Sequence, residues 1–306
     1  MSESTREGIM QCGRNISAEE VVQIRETVEL LPGLAVNELA ATICEHLEWY
    51  TAGGGLKVDA CLKLLNKLES EGVLELTKRQ RARRRKQFTR NEEIIIGSRT
   101  DPGSKIEGTV GDLEEVKLEV VVNREEKKLW NEYIHRYHPL GYKNPFGYRL
   151  RYFITCEEGR LGCLLFSGAA KSLGARDRWI GWNEQQRLSN LAWVINLSRH
   201  LIFPWIAVRN LSSHVLGKIA REIEEQWQKR WKYRPVLMET FVDPEHHEGS
   251  SYKAAGWEYV GMSTGGGLVR KGERYQTTPK KIFMKPLAGE FRQALCSEQL
   301  TGGVQE

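Results

Sequence analysis

Apolar residues in the first quarter of the chain recur at the three- and four-residue intervals of amphipathic helices. A first helix is predicted after Ser17, which has the spacing of a capping box with Glu20. A second helix is predicted from Asn37 to Trp49. A third helix follows the glycine-rich turn TAGGGLK, and the segment SEGVLEL then turns at Gly72 into a short predicted strand.

Lysines occupy the outer face of the third predicted helix, at Lys57, Lys63 and Lys67, while its leucines face inward. Three helices, with a glycine turn before the third and a strand after it, match the element order of a winged helix, whose third helix lies in the major groove of DNA. A small interaction domain with a solvated lysine face has the same topology. The pattern predicts a winged-helix-like unit and leaves both uses open.

After residue 115 the pattern alternates between strands and helices. VKLEVVV reads as a strand, REEKKLWNEYIHRYH as an amphipathic helix, and YRLRYFITCEEGRLGCLLFS as a hairpin turning at EEG. Asn183 and Gln186 begin a predicted long helix through Leu188, Leu191 and Ile195. Next come a buried strand LIFPWIAV, a helix, the strand RPVLMETFVD, and a last helix and strand in EGSSYKAAGWEYVG. The predicted class is α/β (α+β), with a mixed sheet.

This order of elements resembles that of the GNAT N-acyltransferase fold, and YKAAGWEYVG resembles its closing Tyr-x-x-x-Gly-aromatic segment. Three longer stretches resemble the DruA family, named after the Druantia anti-phage system. They are GYRLRYFITCEEGRLGCLLFSGAAKSLGARDRWIGW, NLSRHLIFPWIAVRNLSSHVLGKIAREI and RPVLMETFVDPEHHEGSSYKAAGWEYVGMSTG. The resemblance implies a bacterial setting in defence or near transposases, and it implies no particular reaction.

These patterns divide the chain into four predicted parts. Residues 1–90 form the winged-helix-like unit with its basic tail, and residues 91–115, rich in glycine and mixed charge, form a linker. Residues 116–287 form the GNAT-like domain. Residues 288–306 are polar and contain glycine, which is typical of a tail or a docking segment.

The charge of the chain is unevenly distributed, although its net value is only +5. Between Lys78 and Arg90 there are eight basic residues and no acidic one. Cations placed on phosphates release counterions and give salt-sensitive affinity, whereas a basic run can also be a solvated tail. Beside a candidate recognition helix, we expect it to contact the DNA backbone. The predicted contact residues are Arg79, Arg81, Arg83, Arg84, Arg85 and Lys86.

Several classes of protein are disfavoured by the sequence. The longest apolar run, at 201–208, is interrupted by Pro204 and is too short to span a bilayer, and no signal peptide is evident at the N-terminus. The six cysteines include no CxxC pair, which is typical of reduced thiols rather than structural zinc. A cytoplasmic protein that binds no membrane is therefore expected.

An acyl-transfer site in a GNAT-like fold would place a glycine-rich Arg/Gln-x-x-Gly-x-Gly/Ala loop around the pyrophosphate of coenzyme A. The corresponding segment here is RNLSSH, in which Arg209 fits the first position. Ser212 and His214 stand where small residues are expected, and His214 would crowd a phosphate. No cofactor is therefore predicted, and acyl-coenzyme A remains an alternative.

Two candidate catalytic residues follow from the same resemblance. Tyr252 would protonate a departing thiolate, and Glu239 on the preceding strand would act as a general base. Tyr252 could equally be a packing residue. A buried Glu239 would need a partner, for which Arg199 in the apolar stretch NLSRHLIF is a candidate. A structural Glu–Arg pair and a catalytic pair have the same appearance in a sequence.

The segment RDRWIGW offers a second constellation. Asp177 stands among Arg176, Arg178 and Trp179, and arginine beside an aromatic ring suits phosphate contact with base stacking. A surface loop anchored by tryptophans, with a local ion pair, fits equally well. His138, beside PLGYKNPFGYR, is a third candidate, as the base of a cleft. Glu132, His135 and His138 have helical spacing but no known metal-site spacing, so no metal is predicted.

The leading hypothesis is a DNA-binding protein of an anti-phage or mobile-element system, whose GNAT-like domain acts on or recognises nucleic acid. Other proteins of the defence system or a transposase are further expected partners. The first alternative is an acyl-coenzyme A-dependent transferase acting on an amine linked to nucleic acid or protein. A second alternative is a DNA hydrolase, which requires Asp177, Glu239 and His138 to converge.

Overall fold

The computed structural model describes residues 8–77, 80, 94–143, 148–265, 278–298 and 300. Contacts divide the chain into two compact units. The first consists of the residues before 93 together with 184–189 and 298–302, and the second contains most of the remainder. No described helix is long and apolar enough to cross a membrane.

The first unit consists of a short hairpin and three helices. Its elements are β1 (Ile9–Gln11), β2 (Arg14–Ile16), α1 (Ala18–Leu30), α2 (Val36–His46) and α3 (Val58–Ser70). The capping box predicted at the start of α1 is present, because the Glu20 N–H donates to Ser17 Oγ at 3.1 Å and the Ser17 N–H donates to the Glu20 carboxylate at 2.8 Å. The three helices bury one shared apolar core.

Two features of this unit differ from the expectation. The β1–β2 hairpin was not predicted, because its strands are only three residues long. Residues 73–76, predicted as a strand, have no strand partner among the described residues. Leu74 and Leu76 fill the helical core instead, and the Leu76 N–H donates to Glu69 Oε1. The winged-helix interpretation of this unit remains a prediction.

The second unit is built on a seven-stranded mixed sheet of order β10-β11-β9-β7-β6-β5-β4, so the predicted mixed α/β class is confirmed. Its strands are β4 (Lys117–Val120), β5 (Leu150–Cys156), β6 (Gly159–Gly168), β7 (Val194–Ile202), β9 (Leu237–Val242), β10 (Glu258–Met262) and β11 (Lys281–Pro286). Strands β3 (Ile106–Thr109) and β8 (Ile206–Arg209) form a separate parallel pair.

The α-helices that the structure describes after residue 120 are α4 (Arg124–Tyr137), α5 (Gly174–Ile180), α6 (Glu184–Asn190), α7 (Leu211–Trp231), α8 (Ser250–Ala254) and α9 (Phe291–Leu295). Trp130 on α4 and Trp227 on α7 are completely buried, as are Trp193 just before β7, Tyr233 just after α7 and Phe283 on β11. Neighbouring strands of the sheet are antiparallel, except β7 and β9, which run parallel from Val194↔Leu237 to Leu197↔Thr240.

Residues 94–115, predicted as a linker, belong to the second unit and contain β3. Side chains of α4 hold this segment: Glu132 Oε1 accepts from the Gly97 N–H at 2.6 Å and from the Thr100 hydroxyl at 2.6 Å. The Tyr137 hydroxyl donates to the Thr100 carbonyl at 2.7 Å. Glycine and mixed charge indicate a linker, but they carry no information on such long-range hydrogen bonds.

The long helix predicted through Ile195 is wrong. Helix α6 ends at Asn190, and the chain enters the central strand β7 at Val194. Asn190 is buried, and its Nδ2 donates to the carbonyls of Leu295 and Ser297, which fixes the end of the helix. The same contacts hold α9, so residues 288–298 contain a packed helix where a polar tail was predicted, with Phe291 4% exposed. The predicted strand LIFPWIAV is split between β7 and β8, because Pro204 has no N–H for a sheet.

Candidate functional site

The sheet of the second unit opens between its two parallel strands. After the Leu197↔Thr240 pair, β7 continues only beside β6, with His200 opposite Leu164. Strand β9 continues only beside β11, with Val242 opposite Lys281. The facing edges of β7 and β9 therefore have no strand partner beyond this pair in the part of the chain that is described. The opening between them is the candidate site.

His200 and Tyr252 meet at this opening. Their rings are perpendicular, with centroids 6.1 Å apart. Tyr252 comes from helix α8 and stacks on Phe283 at 5.6 Å, while Trp257 meets it edge-on at 5.5 Å. The His200 ring is partly exposed, but its Nε2 atom is buried and has no hydrogen-bond partner among the described residues. A buried polar atom without a partner costs about 1–3 kcal/mol, so this atom needs an explanation.

The electrostatics of the opening favour uncharged side chains. Burial lowers the pKa of His200 to about 4, with smaller contributions from His138 and His247. Burial also lowers the pKa of His138 to about 4, assisted by Arg199 and His247. Burial raises the pKa of Tyr252 to about 12, against a hydrogen bond with Thr240. Both imidazoles are therefore neutral and the tyrosine is protonated at neutral pH.

His138 follows the last residue of α4, which ends one residue before the predicted helix does, and it belongs to this group. Its Nδ1 lies 3.2 Å from the Leu140 N–H and accepts from it, which leaves Nε2 to carry the proton of the neutral ring. Arg199 donates from Nε to the Gly141 carbonyl at 3.1 Å and from Nη1 to the Ser198 carbonyl at 2.6 Å. Arg199 therefore holds the chain after His138. The pairing of Arg199 with Glu239 that the sequence suggested is not formed.

Glu239 lies on the other face of the sheet. It is completely buried; its Oε2 accepts from Arg176 Nη1 at 2.8 Å and its Oε1 accepts from the Ala170 N–H at 2.7 Å. Thr240, its neighbour in β9, faces the opposite side and pairs in register with Phe283, on which Tyr252 stacks. The sheet thus separates Glu239 from Tyr252, and the general-base role predicted for Glu239 in that cleft is not supported.

Asp177 completes the network around Glu239. Its Oδ1 accepts from Arg176 Nε at 2.9 Å and from Trp182 Nε1 at 3.0 Å, and its Oδ2 accepts from the Leu173 N–H at 3.0 Å. Arg176, with 0% exposure, also donates to the Ala170 carbonyl at 2.7 Å. These bonds tie the segment after β6 to β9. These bonds identify a structural ion pair. Asp177 and Glu239 do not converge with His138, so the arrangement that the predicted DNA hydrolase requires is not formed.

The structure does not support the predicted phosphate and base contacts in RDRWIGW for two of the three residues. Arg176 is buried and holds two carboxylates. Trp179 stacks on Phe291 at 5.2 Å, lies under the Arg292 guanidinium at 4.5 Å, and donates to Glu258 at 2.8 Å. The Trp179 ring is half-buried in these contacts within the protein, so base stacking by Trp179 is not supported. Arg178 is exposed and remains a predicted contact residue.

The three lysines predicted to contact DNA, at and after the start of α3, differ in their exposure. Lys63 and Lys67 are exposed, and the Lys67 ammonium lies 3.9 Å from the Glu71 carboxylate. Lys57 is partly buried; its Nζ donates to the Cys12 carbonyl at 3.5 Å, and burial lowers its pKa. A phosphate contact by Lys57 is therefore not supported. The six basic residues predicted between 79 and 86 lie outside the described residues.

One group of described residues has the geometry of metal ligands, and none of the predicted catalytic residues belongs to it. It consists of Asp243, Glu245 and His246 in the loop after β9. The Asp243 carboxylate already accepts from Lys280 Nζ at 2.5 Å, and Glu245 and His246 are exposed. Surface acids of this kind are common without an ion, so the group is not a candidate metal centre.

The family model of the Druantia protein DruA matches residues 67–277, about two thirds of the chain. The chain belongs to the DruA family. The match includes His138, His200 and Tyr252, whereas Phe283, on which Tyr252 stacks, lies beyond its end. No curated protein matches the chain.

Solved structures similar to this DruA-family chain include two acetyltransferases and an N-acyl amino acid synthase. An acetyltransferase of Bacillus subtilis in complex with coenzyme A is 8% identical, over 57% of this chain and 100% of that chain, with a TM-score of 0.34. An aminoglycoside acetyltransferase in complex with coenzyme A is 13% identical over 56% and 95%, with a TM-score of 0.34. FeeM, an N-acyl amino acid synthase from uncultured soil microbes, is 13% identical over 56% and 90%, with a TM-score of 0.33.

The segment RNLSSH can be tested against the pyrophosphate of coenzyme A. Asn210 is left-handed, with φ of 64°, and provides no side-chain cap for the first turn of α7. His214, expected to crowd a phosphate, is exposed on the helix, and Lys218 and Arg221 add to the effect of burial in lowering its pKa. The uncapped N–H groups of this first turn, next to Arg209, are groups that suit a phosphate, whereas Lys218 lies two turns further along the helix and pairs with Glu222 at 3.0 Å.

Sequence reasoning missed His200 and His247. The available signal for His200 was a histidine in the apolar strand NLSRHLIF, next to the residue that was singled out, Arg199. The irregular register between β6 and β7, near Leu165 and Phe166, changes which residues of β7 share a face. That irregularity cannot be read from the sequence pattern.

Proposed function

We propose that this DruA-family protein is a DNA-binding factor of a bacterial anti-phage or mobile-element system. The observation that carries the proposal is the run of eight basic residues without an acidic one between Lys78 and Arg90. It follows a helical unit whose α3 exposes Lys63 and Lys67. Such a run neutralises phosphates and binds with little dependence on base sequence.

The test is binding of labelled double- and single-stranded DNA to the full chain across a salt series. Replacing Arg83, Arg84 and Arg85 by alanine should reduce the slope of log K against log salt by about 2–3, since each phosphate contact contributes about 0.7–0.9. The matched control replaces three exposed lysines with the same loss of charge, at Lys117, Lys127 and Lys128. Equal slopes in the arginine variant and the native chain would refute the proposal.

A second function is favoured by the opening between β7 and β9. We infer that the second unit has a GNAT-like topology and transfers an acyl group. Support comes from the single parallel pair that opens in the middle of the sheet, and from a protonated Tyr252 beside it. The first turn of α7 and Arg209 would hold the phosphates of acyl-coenzyme A, which supplies an activated acyl group when bound.

The residues of the opening would handle the protons of this reaction. Tyr252 keeps its proton at neutral pH and is suited to protonate a leaving group. Its packing against Phe283 and Trp257 fixes the ring and excludes water from one side. A thermal shift with acetyl-coenzyme A, and release of free thiol in the presence of an acceptor, test this function. The absence of both would refute it.

A further inference from the structure

Two arginines of the sheet lie in one row across three strands. Arg151 on β5 is directly opposite Leu165 on β6, and Leu165 is directly opposite Arg199 on β7. Residues directly opposite each other in antiparallel strands project from the same face, so the two arginines flank Leu165. Both side chains reach the segment after α4. Arg199 Nε donates to the Gly141 carbonyl at 3.1 Å, and Arg151 Nη2 donates to the Tyr142 hydroxyl at 2.9 Å.

This arginine row projects from the face of the sheet opposite to Tyr252. Leu165 and Ser167 are two residues apart in β6 and therefore share a face. Ser167 is opposite Asn196, and Asn196 is opposite Glu239. The sheet separates Glu239 from Tyr252. The arginine row is thus distinct from the place where Tyr252 would act in acyl transfer.

Neither guanidinium has a carboxylate partner among the described residues. Arg151 is 8% exposed, and its Nε is enclosed without a hydrogen-bond acceptor. It packs on the rings of Trp130 and Tyr142, at 5.4 Å and 5.8 Å from their centroids. Arg199 is partly buried and donates to two backbone carbonyls, which carry no net charge.

The two charges are costly to hold in this position. Burial lowers the pKa of Arg151 and of Arg199, although an arginine stays ionised at neutral pH. An ion removed from water without an opposite charge is destabilising. The aromatic rings beside Arg151 offset part of this cost. An anion bound to both arginines would offset the remainder.

Each arginine keeps one nitrogen that a ligand can reach. Arg151 Nη1 and Arg199 Nη2 make no hydrogen bond among the described residues, and neither is among the enclosed polar atoms. Arg199 is the more exposed of the two, so a ligand approaches from its side and reaches Arg151 last. A terminal group fits such an approach. A phosphodiester does not, because its chain continues on both sides.

We propose that Arg151 and Arg199 bind a phosphomonoester group. Such a group carries about −1.5 to −2 charges at neutral pH, which matches two cations, and its three terminal oxygens can accept from both guanidinium groups. A carboxylate has a single charge and would leave one arginine uncompensated. Free nucleotides and the phosphorylated ends of DNA strands both carry this group. Neither the basic run nor Tyr252 contributes to the site, which is a function beyond the two proposed above.

The experiment is thermal unfolding of the full chain in a buffer without phosphate or sulfate. The chain is titrated with thymidine 5′-monophosphate, with inorganic phosphate, and with thymidine, and sodium chloride keeps the ionic strength constant. Thymidine 5′-monophosphate and phosphate should raise the unfolding temperature saturably, because they bind the folded state. Thymidine should not. An absent shift with thymidine 5′-monophosphate, or an equal shift with thymidine, would overturn the inference.

Variants of the two arginines assign the site. Arg151→Met and Arg199→Met should each weaken the binding of thymidine 5′-monophosphate at least about 10-fold, since each removes charge-assisted hydrogen bonds. Arg160→Met is the matched control, because Arg160 is exposed on β6 and its replacement removes the same charge. It should bind as the native chain does. A merely structural arginine predicts a lower unfolding temperature with an unchanged shift on adding the nucleotide, and that result would overturn the inference. If Arg151→Met does not fold, Arg199→Met decides alone.

A further variant separates this site from the proposed DNA contacts. The chain with Arg83, Arg84 and Arg85 replaced by alanine should bind thymidine 5′-monophosphate as tightly as the native chain, and a loss of binding there would overturn the inference. In the same variant, a thymine strand with a 5′-phosphate is compared with one that has a 5′-hydroxyl. Competition by the phosphorylated strand alone identifies a DNA end as a ligand, and no competition by either strand identifies a free nucleotide. DNA binding and acyl transfer are measured with other ligands, so each stands or fails independently of this site.

Discussion

The buried Arg176–Glu239 pair makes a quantitative prediction about stability. Both side chains are 0% exposed, and Arg176 joins Glu239 at 2.8 Å to Asp177 at 2.9 Å and to the Ala170 carbonyl at 2.7 Å. Arg176→Met keeps most of the side-chain volume and removes the charge. Glu239 would then be a buried carboxylate with one remaining donor. Such a change should lower the free energy of unfolding by about 3–5 kcal/mol.

The double variant separates the ion pair from simple packing. When Glu239→Leu is added to Arg176→Met, no unpaired buried charge remains at Glu239, and replacement of both ions by apolar groups is often close to neutral. The double variant should therefore be more stable than Arg176→Met alone by about 2 kcal/mol, despite carrying one more substitution. Additive losses would show that the two side chains act independently.

The pH dependence gives the prediction a second readout. Burial raises the pKa of Glu239, and Arg176 opposes that rise. A carboxyl group whose pKa is raised on folding contributes stability below its unfolded pKa and loses it as the pH rises through the folded pKa. Without Arg176 only the Ala170 N–H opposes the rise, so Glu239 stays protonated over a wider range of pH. The loss of unfolding free energy caused by Arg176→Met should therefore be smaller near about pH 5 than near about pH 8.

The assay is urea unfolding followed by the fluorescence of the nine tryptophans, which include Trp182 beside the network. Free energies are compared through the midpoint and slope of the transition at each pH. A loss below about 1 kcal/mol in Arg176→Met would refute the reasoning, since single changes outside such networks usually fall in that range. A loss of unfolding free energy that is larger at acid pH than at neutral pH would refute the reasoning independently.

Three further predictions concern packing and protonation. Trp179→Ala should cost about 2–3 kcal/mol by opening its stack on Phe291, and DNA affinity measured on the folded fraction should be unchanged; a large loss of affinity would restore its predicted role in base stacking. Gly249→Ala should cost more than about 2 kcal/mol in chemical unfolding, because φ is +77° and the added Cβ would lie 2.5 Å from Phe283, whereas Gly289→Ala, with nothing within 4 Å, should be close to neutral. The folded-state pKa of His200, about 4, lies below the ordinary value, so the free energy of unfolding should fall as the pH drops from about 6.5 towards 4. His200→Gln should flatten this part of the plot of unfolding free energy against pH. An unchanged plot would contradict the lowered pKa of His200.

Local patterns were sufficient for much of the fold. The capping box at Ser17, the hairpin of β5 and β6, and the helices α1, α4 and α7 follow from periodicity and turn residues, because those signals act over a few residues. The mixed sheet could also be predicted, since strands and helices alternate after residue 115. The end of α6 at Asn190 could not, because two carbonyls more than a hundred residues away decide it.

The sequence by itself determined which chemical groups the protein has: a basic run, a tyrosine before Ala-Ala-Gly-Trp, and isolated histidines and acids in apolar strands. Only the tertiary structure decided which of them meet. It joined Glu239 to Arg176 rather than Arg199, and it separated Glu239 from Tyr252 by the thickness of the sheet. It also brought His200 to Tyr252. The reason is that partners across a sheet depend on strand order, register and bulges, which arise from contacts distant in the chain.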